Sequence, residues 1–125
     1  MPLYRCTCPK DSLSEKTRAD IAQAITDIHC DVTGAPRTFV HVFFFNDETA
    51  KNHSIMGSIR AGRTDDQKQD LYSRMAAAYA AAAGVGSEAV TVSSVDVPAK
   101  WVMEGGSLLP EPGEEEAWLE KHETV

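Results

Sequence analysis

Positive charge is scarce in this chain: 12 Lys and Arg stand against 19 Asp and Glu, a net charge of −7. An acidic surface repels phosphate backbones and anionic headgroups, so neither nucleic acid nor a membrane is the expected partner. Any anion must instead be held by a local cluster of cations. Cysteine is sparse too. Cys6, Cys8 and Cys30 are odd in number and follow no zinc-ribbon or disulfide-framework spacing, so they read as packed or idle thiols. His41, His53 and His122 have no metal-ligand spacing either. No run approaches the roughly 18 apolar residues needed to span a bilayer, and the opening MPLYRCTCPKDS has no apolar signal core, so the expected location is the cytoplasm.

What is present fits one globular domain over residues 1–125. The chain is 42% hydrophobic and 25% charged, enough for a modest core at this length. It also contains a loose internal repeat. A hydroxyl residue, a helix-like stretch, a glycine stop and a β-rich run occur from Ser14 through Gly34 to Val40, and again from Thr64 through Gly84 to Val90. Each landmark recurs fifty positions on.

The first helix is expected to begin near Ser12 or Ser14, where a hydroxyl can cap orphan N–H groups and Glu15 follows Ser12 by three. Ile21, Ala24, Ile25, Ile28 and Val32 recur at helical spacing as its buried stripe, and Gly34 stops it. Thr64 and Gln67 form the same capping-box pattern before a second helix, whose stripe is Leu71, Met75, Ala78 and Ala82. Thr38–Phe45 and Ala89–Val97 read as strands, with Leu3–Cys8 and Ser54–Arg60 supplying the strands before each helix. The expected fold is therefore α+β: tandem β-α-β units forming a four-stranded sheet with two helices on one face. From Pro98 the Gly- and Pro-rich chain predicts an irregular tail with a short hairpin. A sheet covered on one face leaves apolar surface and edges exposed, which predicts oligomerisation.

Five residues are candidates for chemistry. A proline directly behind the initiator Met, Pro2, permits removal of Met1 and leaves a secondary amine that can act as base or acid according to its surroundings. Standing alone, such a proline is ordinary; its companions give it weight. Arg60 and Arg63, in SIRAGRTDD before the second helix, can converge on a carboxylate, or can simply pair with Asp65 and Asp66. His29 sits at the edge of the first helix's stripe, as a hydrogen-bond donor to substrate or as a packing residue. Glu104, before Gly105 and Gly106, is a candidate base or one more surface acid.

Together, Pro2, AITDIHCDVTG around His29, IRAGR with Arg60 and Arg63, and VPAKWVMEGGSLLPEPGEE with Glu104 resemble the tautomerase superfamily, specifically its cis-3-chloroacrylic acid dehalogenase branch. The resemblance spans nearly the whole chain. It implies a trimer with a site around each N-terminal proline, Pro2 as acid or base, Arg60 and Arg63 as carboxylate binders, His29 as a donor to substrate and Glu104 as an activator of water. It implies no metal and no organic cofactor. The chain is shorter than that dehalogenase, mainly between Asn46 and Arg60, so the rim of the pocket should differ there.

One departure bears on the reaction. Where the dehalogenase pattern has a tyrosine about ten residues before the acid, this chain has Ser93, whose hydroxyl is shorter and far less acidic than a phenol. Trp101 adds aromatic surface near Glu104. The expected activity is keto–enol tautomerisation of a small 2-oxo or 2-hydroxy unsaturated carboxylate of the phenylenolpyruvate type, with Pro2 as base. The alternatives are hydration or dehalogenation of a 3-haloacrylate-like acid, as a main or weak side activity, and a non-enzymatic interaction protein.

Overall fold

Alternation along the first strand sets the architecture. In β1 (Leu3–Pro9), Tyr4, Cys6 and Cys8 are buried while Leu3 and Arg5 are exposed, so one side of this strand carries the core. The structure, a computed structural model, describes residues 1–122. β1 runs parallel to β2 (His41–Asp47) and antiparallel to β3 (His53–Arg60), which in turn runs parallel to β4 (Val90–Val97), giving the order β2-β1-β3-β4. Each parallel pair is joined through a helix: α1 (Glu15–Thr33) and α2 (Asp65–Ala83). The α+β arrangement of two β-α-β units is the one expected.

The fifty-residue repeat is real in three dimensions. Both helices have 19 residues, capped by Ser14 and Thr64, and both end at a left-handed glycine, Gly34 with φ 75° and Gly84 with φ 72°. The Thr64 hydroxyl accepts from the Gln67 N–H while the Gln67 side chain accepts from the Thr64 N–H, a complete capping box. Ile21, Ile25 and Ile28 of α1 and Leu71 and Met75 of α2 pack with Ile55 and Ile59 of β3 in one core. Each such side chain contributes about 2 kcal/mol by leaving water.

Three expectations are corrected. The second strand begins at His41 rather than Thr38, because Arg37–Phe39 closes a 3-10 turn in which the Val40 N–H bonds to the Arg37 carbonyl. Ala82 is exposed, and the buried stripe of α2 passes instead through Tyr79 and Ala80. The tail does contain a hairpin, β5 (Met103–Glu104) with β6 (Ser107–Leu108), but it also contains a helix, α3 (Glu115–His122), where an irregular segment was expected. Gly105 and Gly106, with φ 58° and 82°, make the tight turn between the hairpin strands. Among the described residues no helix is long and apolar enough to cross a membrane.

Candidate active site

The amino end of the chain enters the sheet at its centre. The Pro2 carbonyl accepts from the His41 N–H at 3.0 Å, which ties Pro2 to β2, and its ring is buried. Here Met1 still covers the Pro2 nitrogen, and the Met1 ammonium donates to the Glu104 carboxylate. Glu104 also lies 3.3 Å from His41 Nε2. The hairpin therefore brings Glu104 to within one residue of Pro2. Burial lowers the Met1 ammonium below the usual α-amino range against the opposing pull of Glu104, and the charge of Arg60 adds to the lowering.

His29 is buried in the last turns of α1, at 1% exposure, rather than sitting at the edge of the stripe. Its Nδ1 lies 2.7 Å from the Tyr4 hydroxyl on β1, the two rings meeting edge to face. Its Nε2 is buried with no partner. Burial, followed by the charges of Arg63 and Arg60, holds the imidazole at about 3, so it is neutral across the ordinary range of pH. Gly57 makes this geometry possible. It stands opposite Tyr4 in the β1–β3 register, and a Cβ there would come within 2.5 Å of Tyr4 Cε1.

The two arginines are held differently. Arg60, the last residue of β3, is 1% exposed; its Nη1 donates to the Pro110 carbonyl and its Nη2 to Glu115, both at 2.8 Å. Its guanidinium lies 5.4 Å from the Phe39 ring centroid. Arg63 reaches the C-terminal end of α1, where Nη1 is 3.5 Å from the Thr33 carbonyl, while its Nε is buried and unpartnered. Burial and Arg60 together lower Arg63 from its ordinary value. Neither arginine pairs with Asp65 or Asp66 among the described residues.

Two buried nitrogens without partners, His29 Nε2 and Arg63 Nε, thus lie around the end of α1, under the field of Arg60 and near the chain's amino end. Buried polar atoms are almost always satisfied, so the open guanidinium N–H of Arg63 is suited to an oxygen-rich anion, with the second ring nitrogen of His29 beside it. The sequence did not single out Tyr4 or Glu115. Tyr4 occupies an inward strand position that any core aromatic could fill, and Glu115 sits in a run of acids that reads as solvated.

A family model described as "Putative oxalocrotonate tautomerase enzyme" matches residues 1–63. The crystal structure of N1, a member of the cis-3-chloroacrylic acid dehalogenase family, is similar over 99% of this chain and 92% of its own, with 31% identity and a TM-score of 0.91. This chain belongs to the tautomerase superfamily, in its cis-3-chloroacrylic acid dehalogenase branch. This tautomerase-superfamily chain is also similar to native Ps01740, at 38% identity and a TM-score of 0.77, over 82% of this chain and 100% of that one. A fused 4-OT described as a wild-type asymmetric trimer shares the fold at 23% identity and a TM-score of 0.77, over 86% of this chain and 95% of that one. No curated protein sequence matches the chain.

Proposed function

We propose that the chain is a keto–enol tautomerase of small 2-oxo or 2-hydroxy unsaturated carboxylates, phenylenolpyruvate in type, working through the amine that Pro2 presents once Met1 is removed. The observation that carries this reading is the pair of buried, unpartnered atoms His29 Nε2 and Arg63 Nε beside the chain's amino end. Arg63, backed by the charge of Arg60, holds the substrate carboxylate. His29 donates to the neighbouring carbonyl or enol oxygen. The neutral Pro2 nitrogen takes a proton from the enol hydroxyl and returns it to the β-carbon as the carbonyl forms, so the step is a redistribution of one proton and needs no other reactant. The buried, cation-facing setting that lowers the Met1 ammonium would equally favour a neutral amine on Pro2.

Membership in the tautomerase superfamily supports an isomerase, and the matching family is described by a tautomerase activity. The test is Pro2→Ala in protein whose loss of Met1 has been verified by mass. Ketonisation of phenylenolpyruvate should fall by about 100-fold; an unchanged rate would remove Pro2 from the mechanism.

A second reading, hydration or dehalogenation of a 3-haloacrylate-like acid, is favoured by the nearness of Glu104 to the amino end. It requires Pro2 to be protonated and Glu104 to activate water. Ser93, on β4 opposite Met56, offers no phenol to assist, so this activity is expected to be weak.

We also propose a homotrimer. Leu3, Phe43, Phe45 and Val95 are exposed on the strands of the sheet, and exposed apolar side chains of this kind ask for a partner. The fused 4-OT relative is described as a trimer. Sedimentation at equilibrium distinguishes three copies from one.

A further inference from the structure

The chain contains two buried His–Tyr pairs. In the first, Tyr4 on β1 meets His29 on α1; in the second, His53 on β3 meets Tyr79 on α2, with Nδ1 again 2.7 Å from the hydroxyl. His29 and Tyr79 occupy equivalent places, fifty positions apart, in the two repeats, so the helix supplies the histidine in the first half and the tyrosine in the second. Their surroundings differ. No cation contributes to the lowering of His53, which comes from burial alone, and its second ring nitrogen is not among the buried unpartnered atoms. His29 has Arg63 and Arg60 acting on it, and its Nε2 is closed off from solvent without a partner.

We infer that Tyr4 is a positioning residue of the reaction: its hydroxyl donates to His29 Nδ1 and so fixes the imidazole in the tautomer that carries its hydrogen on Nε2, facing the substrate. This deepens, and rests on, the tautomerase reading above. The argument is one of counting donors. Tyr4 is 2% exposed, and His29 Nδ1 is the partner of its hydroxyl. Were Nδ1 the donor, the phenolic hydrogen would be left buried and unpartnered, while Nε2 would become a bare acceptor able to offer nothing to an anionic substrate. With Tyr4 donating, the phenol is satisfied and the remaining imidazole N–H joins Arg63 Nε–H as the second open donor. Gly57 makes room for this placement of Tyr4, because the ring lies where a side chain at 57 would be. A neutral histidine donating through Nε2 binds an enolate-like oxygen more strongly as charge develops on it, so the orientation should act on turnover more than on substrate binding.

The test compares wild type, Tyr4→Phe and Tyr79→Phe as full chains, by nitrogen-15 NMR of the histidine rings and by ketonisation of phenylenolpyruvate. Phenylalanine keeps the ring and removes only the hydroxyl, and near-ultraviolet circular dichroism checks that the core is retained. The expected result is His29 with its hydrogen on Nε2 in wild type, population of the Nδ1–H form in Tyr4→Phe, and kcat lower by about tenfold there with KM nearly unchanged. Tyr79→Phe should alter the His53 signals and leave His29 and kcat as they were. Finding Nδ1–H on His29 in the wild type, or an unaltered His29 ring and kcat in Tyr4→Phe, would overturn the proposal. The NMR arm needs no substrate, so an inactive wild type would count against the tautomerase reading and leave the orientation of His29 separately decided.

Discussion

Arg60 Nη2 lies 2.8 Å from Glu115 Oε1, and this bond joins the last residue of β3 to the first residue of α3. Both groups are largely buried, with side-chain exposures of 1% and 12%. Burial pushes the Glu115 carboxyl up, but the Arg60 bond, helped by backbone N–H groups, outweighs it and the net shift is downward. Removing one partner from such a pair leaves the other charge without compensation, and that loss exceeds what the pair itself contributes. Glu115→Ala should therefore cost about 3 kcal/mol in denaturant unfolding. Glu116→Ala, one residue on and exposed, should change stability by less than about 0.5 kcal/mol.

The same bond explains why α3 was not legible in the sequence. EEAWLEKH has one Trp and one Leu among charged residues, and it presents no apolar stripe. What holds it is tertiary: Arg60 with Glu115, the Phe39 and Trp118 rings 5.5 Å apart, and Trp118 Nε1–H donating to the Leu108 carbonyl at 2.7 Å. Periodicity carries no trace of such contacts. The long helices were legible because their caps, stripes and glycine stops all agree with one another. Of the candidate site, Pro2, His29, the arginines and Glu104 could be picked out by residue type together with the family pattern they share. Tyr4 could not, since only the bond to His29 separates it from an ordinary core tyrosine.

Acid should weaken the fold through His29. Burial holds its folded-state value at about 3 against the ordinary 6.5, so between those values the unfolded chain binds a proton that the folded chain refuses. The stability it contributes is fully present above pH 6.5 and is lost progressively as the pH falls toward 3. Denaturant midpoints measured from about pH 7 to about pH 4 should decline, and His29→Gln should flatten that decline.

Gly57→Ala should be destabilising although alanine is the smallest possible addition. The new Cβ would lie 2.5 Å from Tyr4 Cε1, so the ring must move away from its place beside His29. A loss of about 1–3 kcal/mol is expected by thermal unfolding, together with lower kcat. Gly34→Ala, with open space around its Cβ but a φ of 75°, should reduce stability through backbone strain without altering kcat.

Arg63→Ala removes a buried guanidinium whose Nε has no protein partner. If that group is reserved for the substrate carboxylate, KM for phenylenolpyruvate should rise by about tenfold or more, in line with a charge-assisted bond. Saturation curves for wild type and variant check this, and an unchanged KM would assign Arg63 to the architecture alone.

The central claim concerns the ionisation of Pro2 once Met1 is gone. Direct nitrogen-15 titration of the Pro2 amine in the mature protein measures it. Base chemistry predicts that the amine loses its proton below about pH 7, so that it is neutral under working conditions. An amine that stays protonated to well above that value would contradict the tautomerase account and turn Pro2 into an acid.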